Sequence, residues 1–295
     1  MPRKILFIIN PKAGKKLAGK VIPIIEENFH PKCEYHIRVW EHVNAFEQIA
    51  QEIKSGGYTD VIAAGGDGTV NRVAQELVNT TIRFGILPLG SGNGLARSLG
   101  LSMNLNRCLQ QLADGKSVSI DTGSANGHHF FCTAGLGFDA HIGNLFASSI
   151  KRGLRSYVQI IARELFTYKA KEYTLHFNGT SIHKKAFLIT VANAGQYGND
   201  FYIAPQASMT DGKFHIVIVK PFNVLKVAGL LRNIMRRKAY LSRSIETFEA
   251  NQISIEPRVN DSLHVDGEPM AAPASTVFTI HKSSLHVIVG DSFTS

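Results

Sequence analysis

Through the first 120 residues, short continuous apolar runs alternate with stretches whose apolar residues recur every three or four positions. This alternation constrains the chain most, because consecutive strand–helix units bury their strands in a parallel sheet covered on both faces. Ile5–Ile9, Val61–Ala64 and Phe84–Leu87 read as buried strands, and Glu34–Val39 as a short alternating one. Helices fall between them. Leu17–Phe29 carries Pro23 as a candidate kink. The stripe Phe46, Ile49, Ala50, Ile53 stops at Gly56–Gly57. A third stripe is Val70, Val73, Ala74, Leu77, Val78, and a fourth is Leu105, Cys108, Leu109, Leu112, ended by Asp114–Gly115. Past Ser117 the pattern changes to strands: Val118–Thr122, His129–Thr133, Tyr173–Phe177, Ala186–Ala192, Phe214–Val219 and, after Ile253, further short runs to Leu285–Val289. Asn178–Gly179 reads as a hairpin turn, and helical interruptions fall at Tyr157–Tyr168 and Asn223–Tyr240. The expected architecture is an α/β N-terminal domain with a parallel sheet (1–123), then a mostly antiparallel β-sandwich domain (124–295) whose last residues can return to the first.

The sharpest chemical signal is Val61-Ile62-Ala63-Ala64-Gly65-Gly66-Asp67-Gly68-Thr69-Val70-Asn71, a buried strand running through a glycine-rich turn into a helix. Glycines let the backbone approach a ligand, and free N–H groups at a helix start favour a phosphate. Asp67 suits direct phosphate contact only with a cation between them, which points to a phosphate–Mg²⁺ site. The same residues also make a tight strand–helix turn with Asp67 or Thr69 as cap. A second cluster, Gly90-Ser91-Gly92-Asn93-Gly94, follows the next strand, and Asn10-Pro11-Lys12-Ala13-Gly14-Lys15-Lys16 follows the first. Loops at the carboxyl ends of adjacent parallel strands face one ligand crevice. No G-x-x-x-x-G-K-[ST], G-x-G-x-x-G or G-x-S-x-G is present, which excludes a P-loop and weakens dinucleotide and hydrolase readings.

Later in the chain, Asp266-Gly267-Glu268 follows a strand-like run. It offers two carboxylates for a reacting hydroxyl, or a hairpin turn. Ser208-Met209-Thr210-Asp211-Gly212-Lys213 offers hard oxygens to a cation, or a turn. The Asn223–Tyr240 helix mixes Leu230, Leu231, Ile234 and Met235 with Arg232, Arg236, Arg237 and Lys238. It fits an anionic membrane surface or a helix packed on the sandwich with a solvated basic rim. A formal net charge of +9 predicts an anionic partner, but the basic residues lack the aromatic interleaving of a single-strand binder, so nucleic acid is not expected. The twelve histidines show no metal-ligand spacing, and three scattered cysteines argue against disulfides and structural zinc. No apolar run is long enough to span a bilayer and no leader-like segment precedes the first strand, so a cytoplasmic protein with peripheral contact at the inner membrane face is expected.

Together the three loops and Asp266-Gly267-Glu268 resemble the diacylglycerol kinase catalytic-domain family, which includes bacterial soluble lipid kinases and sphingosine and ceramide kinases. Gly65-Gly66-Asp67-Gly68-Thr69 with Asn71 is the most specific mark, and Gly90-Ser91-Gly92-Asn93 matches the second nucleotide loop. Ala134-Gly135-Leu136-Gly137-Phe138-Asp139-Ala140 is similar to the stretch after the acceptor-side strand. The resemblance implies a Mg²⁺-dependent lipid kinase using ATP. Its nucleotide would be bound through Asn10, Pro11, Lys12, Ala13, Gly14, the Gly65–Asn71 segment, Ser91, Gly92 and Asn93. It implies Asp67 at the catalytic Mg²⁺–nucleotide, Asp266 and Glu268 as the proton-accepting pair with Glu268 foremost, and a second, structural Mg²⁺ at Ser208, Asp211 and Lys213. The acceptor would be diacylglycerol or a related lipid at a membrane surface, and the family is often dimeric. Two departures stand out: Gly90-Ser91-Gly92-Asn93-Gly94 replaces Gly-Thr-Ala-Asn-Asp and looks closer to sphingosine kinases, and Trp40 occupies a common Thr position. Competing expectations are a sphingoid-base kinase, an NAD kinase (which shares Gly-Gly-Asp-Gly), and a non-catalytic nucleotide-binding membrane module. The kinase reading expects Asp67 and the late acidic pair to meet at one site.

Overall fold

The computed structural model describes residues 2–14, 18–29, 33–41, 45–148 and 154–294. Lys15, Lys16 and Leu17 fall outside them. The chain forms two compact units, one of residues up to Asp121 together with Lys282 onward, the other Thr122–His281. The division falls two residues before the expected boundary at Gly123, and the last fourteen residues belong to the first unit.

In the first unit, β1 (Lys4–Ile9), β2 (Glu34–Val39), β3 (Asp60–Gly65) and β4 (Arg83–Pro88) lie in the order β2-β1-β3-β4, all parallel. Helices α1 (Ala18–Phe29), α2 (Phe46–Ser55), α3 (Asp67–Gln75), α4 (Gly94–Ser98) and α5 (Leu105–Asp114) occupy the connections. β1, β3 and β4 are buried almost throughout, as continuous apolar runs require, whereas β2 forms the edge and keeps exposed positions. Pro23 sits inside α1, which continues past it to Phe29. A helical proline loses only one backbone bond, here to Gly19. α5 is capped by Asn104, whose side chain accepts the Arg107 N–H, and it ends at Gly115 with φ of 66°. The fully buried Asp60 carboxylate is held by Arg3 at 3.0 Å and Arg83 at 2.9 Å. The returning C-terminal segment is fixed by Gly290, whose N–H donates to the Leu99 carbonyl at 2.9 Å. A Cβ on Gly290 would lie 1.8 Å from the Gly100 carbonyl oxygen, so the segment seats only with glycine there.

The second unit is an antiparallel sandwich. One layer runs β12-β11-β10-β7-β14-β15, comprising Ile245–Ala250, Phe214–Val219, Leu188–Ala192, Thr133–Gly137, Ser262–Val265 and Glu268–Ala271. The other pairs β9 (Thr180–Ala186), β8 (Lys171–Phe177), β13 (Gln252–Pro257) and the first part of β16 (Thr276–Ile288). Between the layers pack Leu136, Ile189, Val191, Phe214, Ile216 and Ile218 against Phe130, Tyr173, Leu175, Ile253, Ile255 and Phe278. The opposite face of β10–β11 presents Ala192, Val217 and Val219 to α6 (Phe138–Ala147), α7 (Leu154–Thr167) and α8 (Val227–Met235). Both faces of β11 are therefore covered, which explains why Phe214–Val219 is apolar at nearly every position rather than alternating. Cys108 and Cys132 are buried, and burial pushes the Cys108 thiol up to about 12.

Several expected elements are divided. His129–Thr133 breaks into β6 (His128–Phe130) and β7, because the intervening N–H groups of Phe131 and Cys132 bond to Asp266 instead of a ladder partner. Ala186–Ala192 is two strands: Ala186 pairs with Lys171 in one layer and Leu188 with Gly137 in the other, so the chain changes layers at Phe187. Leu285–Val289 overlaps the end of the thirteen-residue β16. The expected helix Asn223–Tyr240 is regular only over α8, with single 3₁₀ turns at Val224–Lys226 and Ala239–Leu241.

Candidate active site

Three loops of the first unit follow β1, β3 and β4, and direct bonds join them. Asn10 donates from Nδ2 to the Thr69 hydroxyl at 2.8 Å, while its Oδ1 accepts the Lys12 N–H at 2.9 Å. The first loop turns at Gly14, with φ of 65°. Asp67, in the first turn of α3, reaches into the third loop, where Oδ1 accepts the Gly94 N–H at 2.8 Å and Oδ2 the Asn93 N–H at 3.1 Å. Asn93 adopts a left-handed conformation, φ 52°, and clasps Gly90 by accepting its N–H and donating to its carbonyl. The glycines are steric necessities here: a Cβ on Gly90 would lie 2.6 Å from Gly66 Cα, and one on Gly92 2.7 Å from Asp67 Oδ2.

Asp67 thus performs the capping part of its two expected roles, for α4 rather than its own helix, yet remains exposed. Each of its oxygens holds a further lone pair, and hard carboxylate oxygen suits Mg²⁺. Gly66 precedes α3 with no side-chain cap, a helix start of the kind that favours an anion. Pro11, Lys12, Ala13, Ser91 and Gly92 lie in these loops with at least partial exposure. Thr69, Val70 and Asn71 are buried in α3; Thr69 serves Asn10, and Asn71 bonds to Gln75. Trp40 follows β2, donates its backbone N–H to the Ile9 carbonyl at 2.8 Å and packs its ring 4.8 Å from that of Phe46.

In the second unit Asp266 and Gly267, with φ of 47° and 83°, make the two-residue turn between β14 and β15, so the turn reading holds. Asp266 does more than turn the chain. Its Oδ2 accepts the Phe131 N–H at 2.7 Å and its Oδ1 those of Cys132 at 2.9 Å and Thr133 at 3.0 Å. Three backbone donors engage this carboxylate and fix its orientation. Glu268, the first residue of β15, is exposed.

The turn is braced from the other side by residues that spacing did not single out. His264 Nε2 donates to Asp139 Oδ2 at 3.0 Å, which leaves Nδ1 to accept the Gly267 N–H at 3.4 Å. The same Asp139 oxygen accepts the Tyr197 hydroxyl at 3.0 Å, and that hydroxyl also bonds to Thr190. His264 lies across from Gly135, where a Cβ would come within 3.2 Å of Nε2. Asp139 appeared in the sequence only inside the family-like stretch. No local pattern links it to a histidine 125 positions later.

Ser208, Asp211 and Lys213 share one turn before β11. Asp211 Oδ1 accepts the Lys213 N–H at 3.0 Å, Oδ2 lies 3.7 Å from His215 Nε2, and Gly212 takes φ of 72°. The Lys213 ammonium contacts Glu249 at 3.0 Å, which holds it above its usual range; only the backbone carbonyl of Lys213 could offer a cation an oxygen. Hard oxygens are compatible with Mg²⁺. Among the described residues, no three His, Cys, Asp or Glu side chains gather as a metal cluster.

Residues 4–125 match the diacylglycerol kinase catalytic domain, and residues 133–289 match the YegS C-terminal NAD kinase beta sandwich-like domain. The chain belongs to the diacylglycerol kinase catalytic-domain family. Membership of this lipid kinase family supports a phosphotransferase activity and implies ATP as the donor. It is 29% identical to a Chromohalobacter salexigens protein named "Probable lipid kinase YegS-like", over 75% of this chain and 73% of the relative. It is 26% identical to a Yersinia pestis protein of the same name, over 92% of each. The fold matches a diacylglycerol kinase crystal structure from Bacillus anthracis str. Sterne with a TM-score of 0.74, at 19% identity over 99% of both chains. The family's Gly65-Gly66-Asp67-Gly68-Thr69 loop and its Asp266-Gly267-Glu268 turn both lie within the matched segments.

Proposed function

We propose that this kinase transfers the γ-phosphate of ATP to the hydroxyl of diacylglycerol or a closely related membrane lipid. The observation that carries this reading is the division of labour within the acidic pair. Asp266 is engaged by three backbone N–H groups, and exposed Glu268 is left two residues along as the proton acceptor. The loops of the first unit would hold the phosphates through backbone N–H groups, with Asp67 fixing their geometry. Magnesium would supply charge neutralisation on the β- and γ-phosphates, held in part by Asp67, with Ser208, Asp211 and Lys213 as candidates for a second, structural ion. Asp67 serves the donor, Glu268 deprotonates the attacking hydroxyl, and Asp266 and His264 are positioning residues for Glu268. Gly90-Ser91-Gly92-Asn93 supports a second reading, in which a sphingoid base is the acceptor.

The reading is tested by incubating the enzyme with Mg²⁺, heavy-oxygen ATP and a total lipid extract, then reading the products by mass spectrometry. Labelled phosphate in a phosphatidic-acid-like product is expected. Label in a long-chain base would select the second reading, and label only in NADP would overturn both.

Because His264 contacts the turn and not a substrate, its replacement should alter kcat rather than nucleotide binding. His264→Gln keeps a donor for Asp139 but removes the acceptor for Gly267, and is expected to lower kcat roughly tenfold with KM for ATP unchanged, since small misplacements of catalytic groups are costly. His264→Asn, which preserves the nearer acceptor, retains more turnover. Equal kcat in both variants and the parent would reduce His264 to a packing residue.

A further inference from the structure

We infer that α8 and its flanking turns form a docking surface for an anionic lipid bilayer. This deepens the lipid-kinase reading and rests on it for the biological need to reach a membrane. Helix α8 carries apolar side chains on two faces. Leu230 and Ile234 point into the cluster formed with Phe187, Val217 and Val219, which accounts for the inner face. Leu231 and Met235, one turn apart, stand on the outer face, with Met235 66% exposed. The flanking turns add Leu225 at 89% and Leu241 at 59% exposure, together with exposed Tyr240. A helix packed merely to cover the sandwich would keep its outer face polar. A row of uncovered large apolar side chains marks an interaction surface.

Charge identifies the occupant. Residues 223–244 contain Lys226, Arg232, Arg236, Arg237, Lys238 and Arg243 and not one Asp or Glu, so this segment carries +6 of the chain's formal +9. Arg237 is engaged, with its guanidinium 4.0 Å above the Tyr202 ring. Lys226, Arg232, Arg236, Lys238 and Arg243 are all exposed and form no ion pair with a described residue, whereas Lys184, Lys213 and Lys220 elsewhere in the same unit are paired with glutamates. Basic residues ringing exposed Leu, Met and Tyr fit a bilayer with acidic headgroups: the cations meet the headgroups and the apolar tips enter the acyl boundary. A nucleic acid would use the charge but leave Leu225, Met235 and Leu241 in water. No helix of the described residues is long and apolar enough to cross a membrane, so the contact is peripheral.

The test is co-sedimentation with vesicles, without ATP or acceptor. The parent protein is expected to bind phosphatidylglycerol-containing vesicles, to bind pure phosphatidylcholine at least about tenfold more weakly, and to lose affinity as salt rises. The variant Arg232→Glu/Arg236→Glu should bind anionic vesicles at least about tenfold more weakly. Leu225→Ser/Met235→Ser/Leu241→Ser should lose a similar factor through its apolar contacts, with less dependence on salt. Both should melt like the parent and phosphorylate a short-chain, water-dispersed acceptor within about twofold of it, since neither touches the catalytic residues. Equal vesicle binding by parent and variants would overturn the inference, as would binding of duplex DNA more tightly than anionic vesicles. A protein that docks as expected yet phosphorylates no lipid would sink the kinase reading alone.

Discussion

Glu268→Gln is expected to lower lipid phosphorylation by about 10²- to 10⁴-fold, the range that a positioned general base supplies. Gln keeps the size and polarity of the side chain and loses only its ability to take a proton. The fold should be indifferent, because Glu268 is exposed and its strand pairing with Val265 runs through the backbone. The expected signature is a collapse of kcat with an unchanged melting temperature and unchanged ATP affinity. Initial rates and a thermal melt on the same preparation check it. Turnover at the parent level would remove Glu268 from the chemistry, and with it the role given to the turn that carries it.

Asp67→Ala should fall nearly as far, for a different reason. Its two oxygens tie the loop after β3 to the N–H groups of Asn93 and Gly94 in the loop after β4. The side chain is exposed, so water can take over those donors and the melting temperature should move little. What water cannot replace is the fixed negative charge that, on the proposed reading, sets the geometry of both phosphate-holding loops and would supply hard oxygen to a divalent cation. Loss of turnover by about 10²-fold or more is expected, the scale of removing a preorganised electrostatic group. A weaker Mg²⁺ dependence of ATP binding should accompany it. Calorimetry of ATP with and without Mg²⁺ separates this outcome from unfolding, and parent-like turnover would exclude Asp67 from the donor site.

The first unit was legible because its signals are local. Continuous apolar runs and helical stripes marked β1 to β4 and their helices, and glycine clusters at the strand ends marked the loops that Asn10, Asp67 and Asn93 join. The sandwich was less legible because its decisive interactions span long stretches of chain. The break between β6 and β7 is made by Asp266, 135 positions after Phe131. The change of layer at Phe187 leaves no mark in an apolar run that looks like one strand. The brace of Asp139, Tyr197 and His264 joins three segments with no shared spacing. At the acidic turn, either function or geometry was a sufficient explanation of Asp-Gly-Glu. The structure gives the geometry to Asp266, and the chemistry is what we propose for Glu268.

The closing segment, from Lys282 onward, belongs to the unit that the first 121 residues build. Leu285, Val287, Ile288 and Val289 are buried there, and Val287 lies beside Phe84 as a further parallel strand. The first unit is therefore not a cassette that can be cut out at one point. Its hydrophobic interior stays unfinished until Val289 has been added. A fragment ending near Asp121 would leave the flank of β4 bare, and a truncation before Leu285 would damage the unit whose other strands are made first.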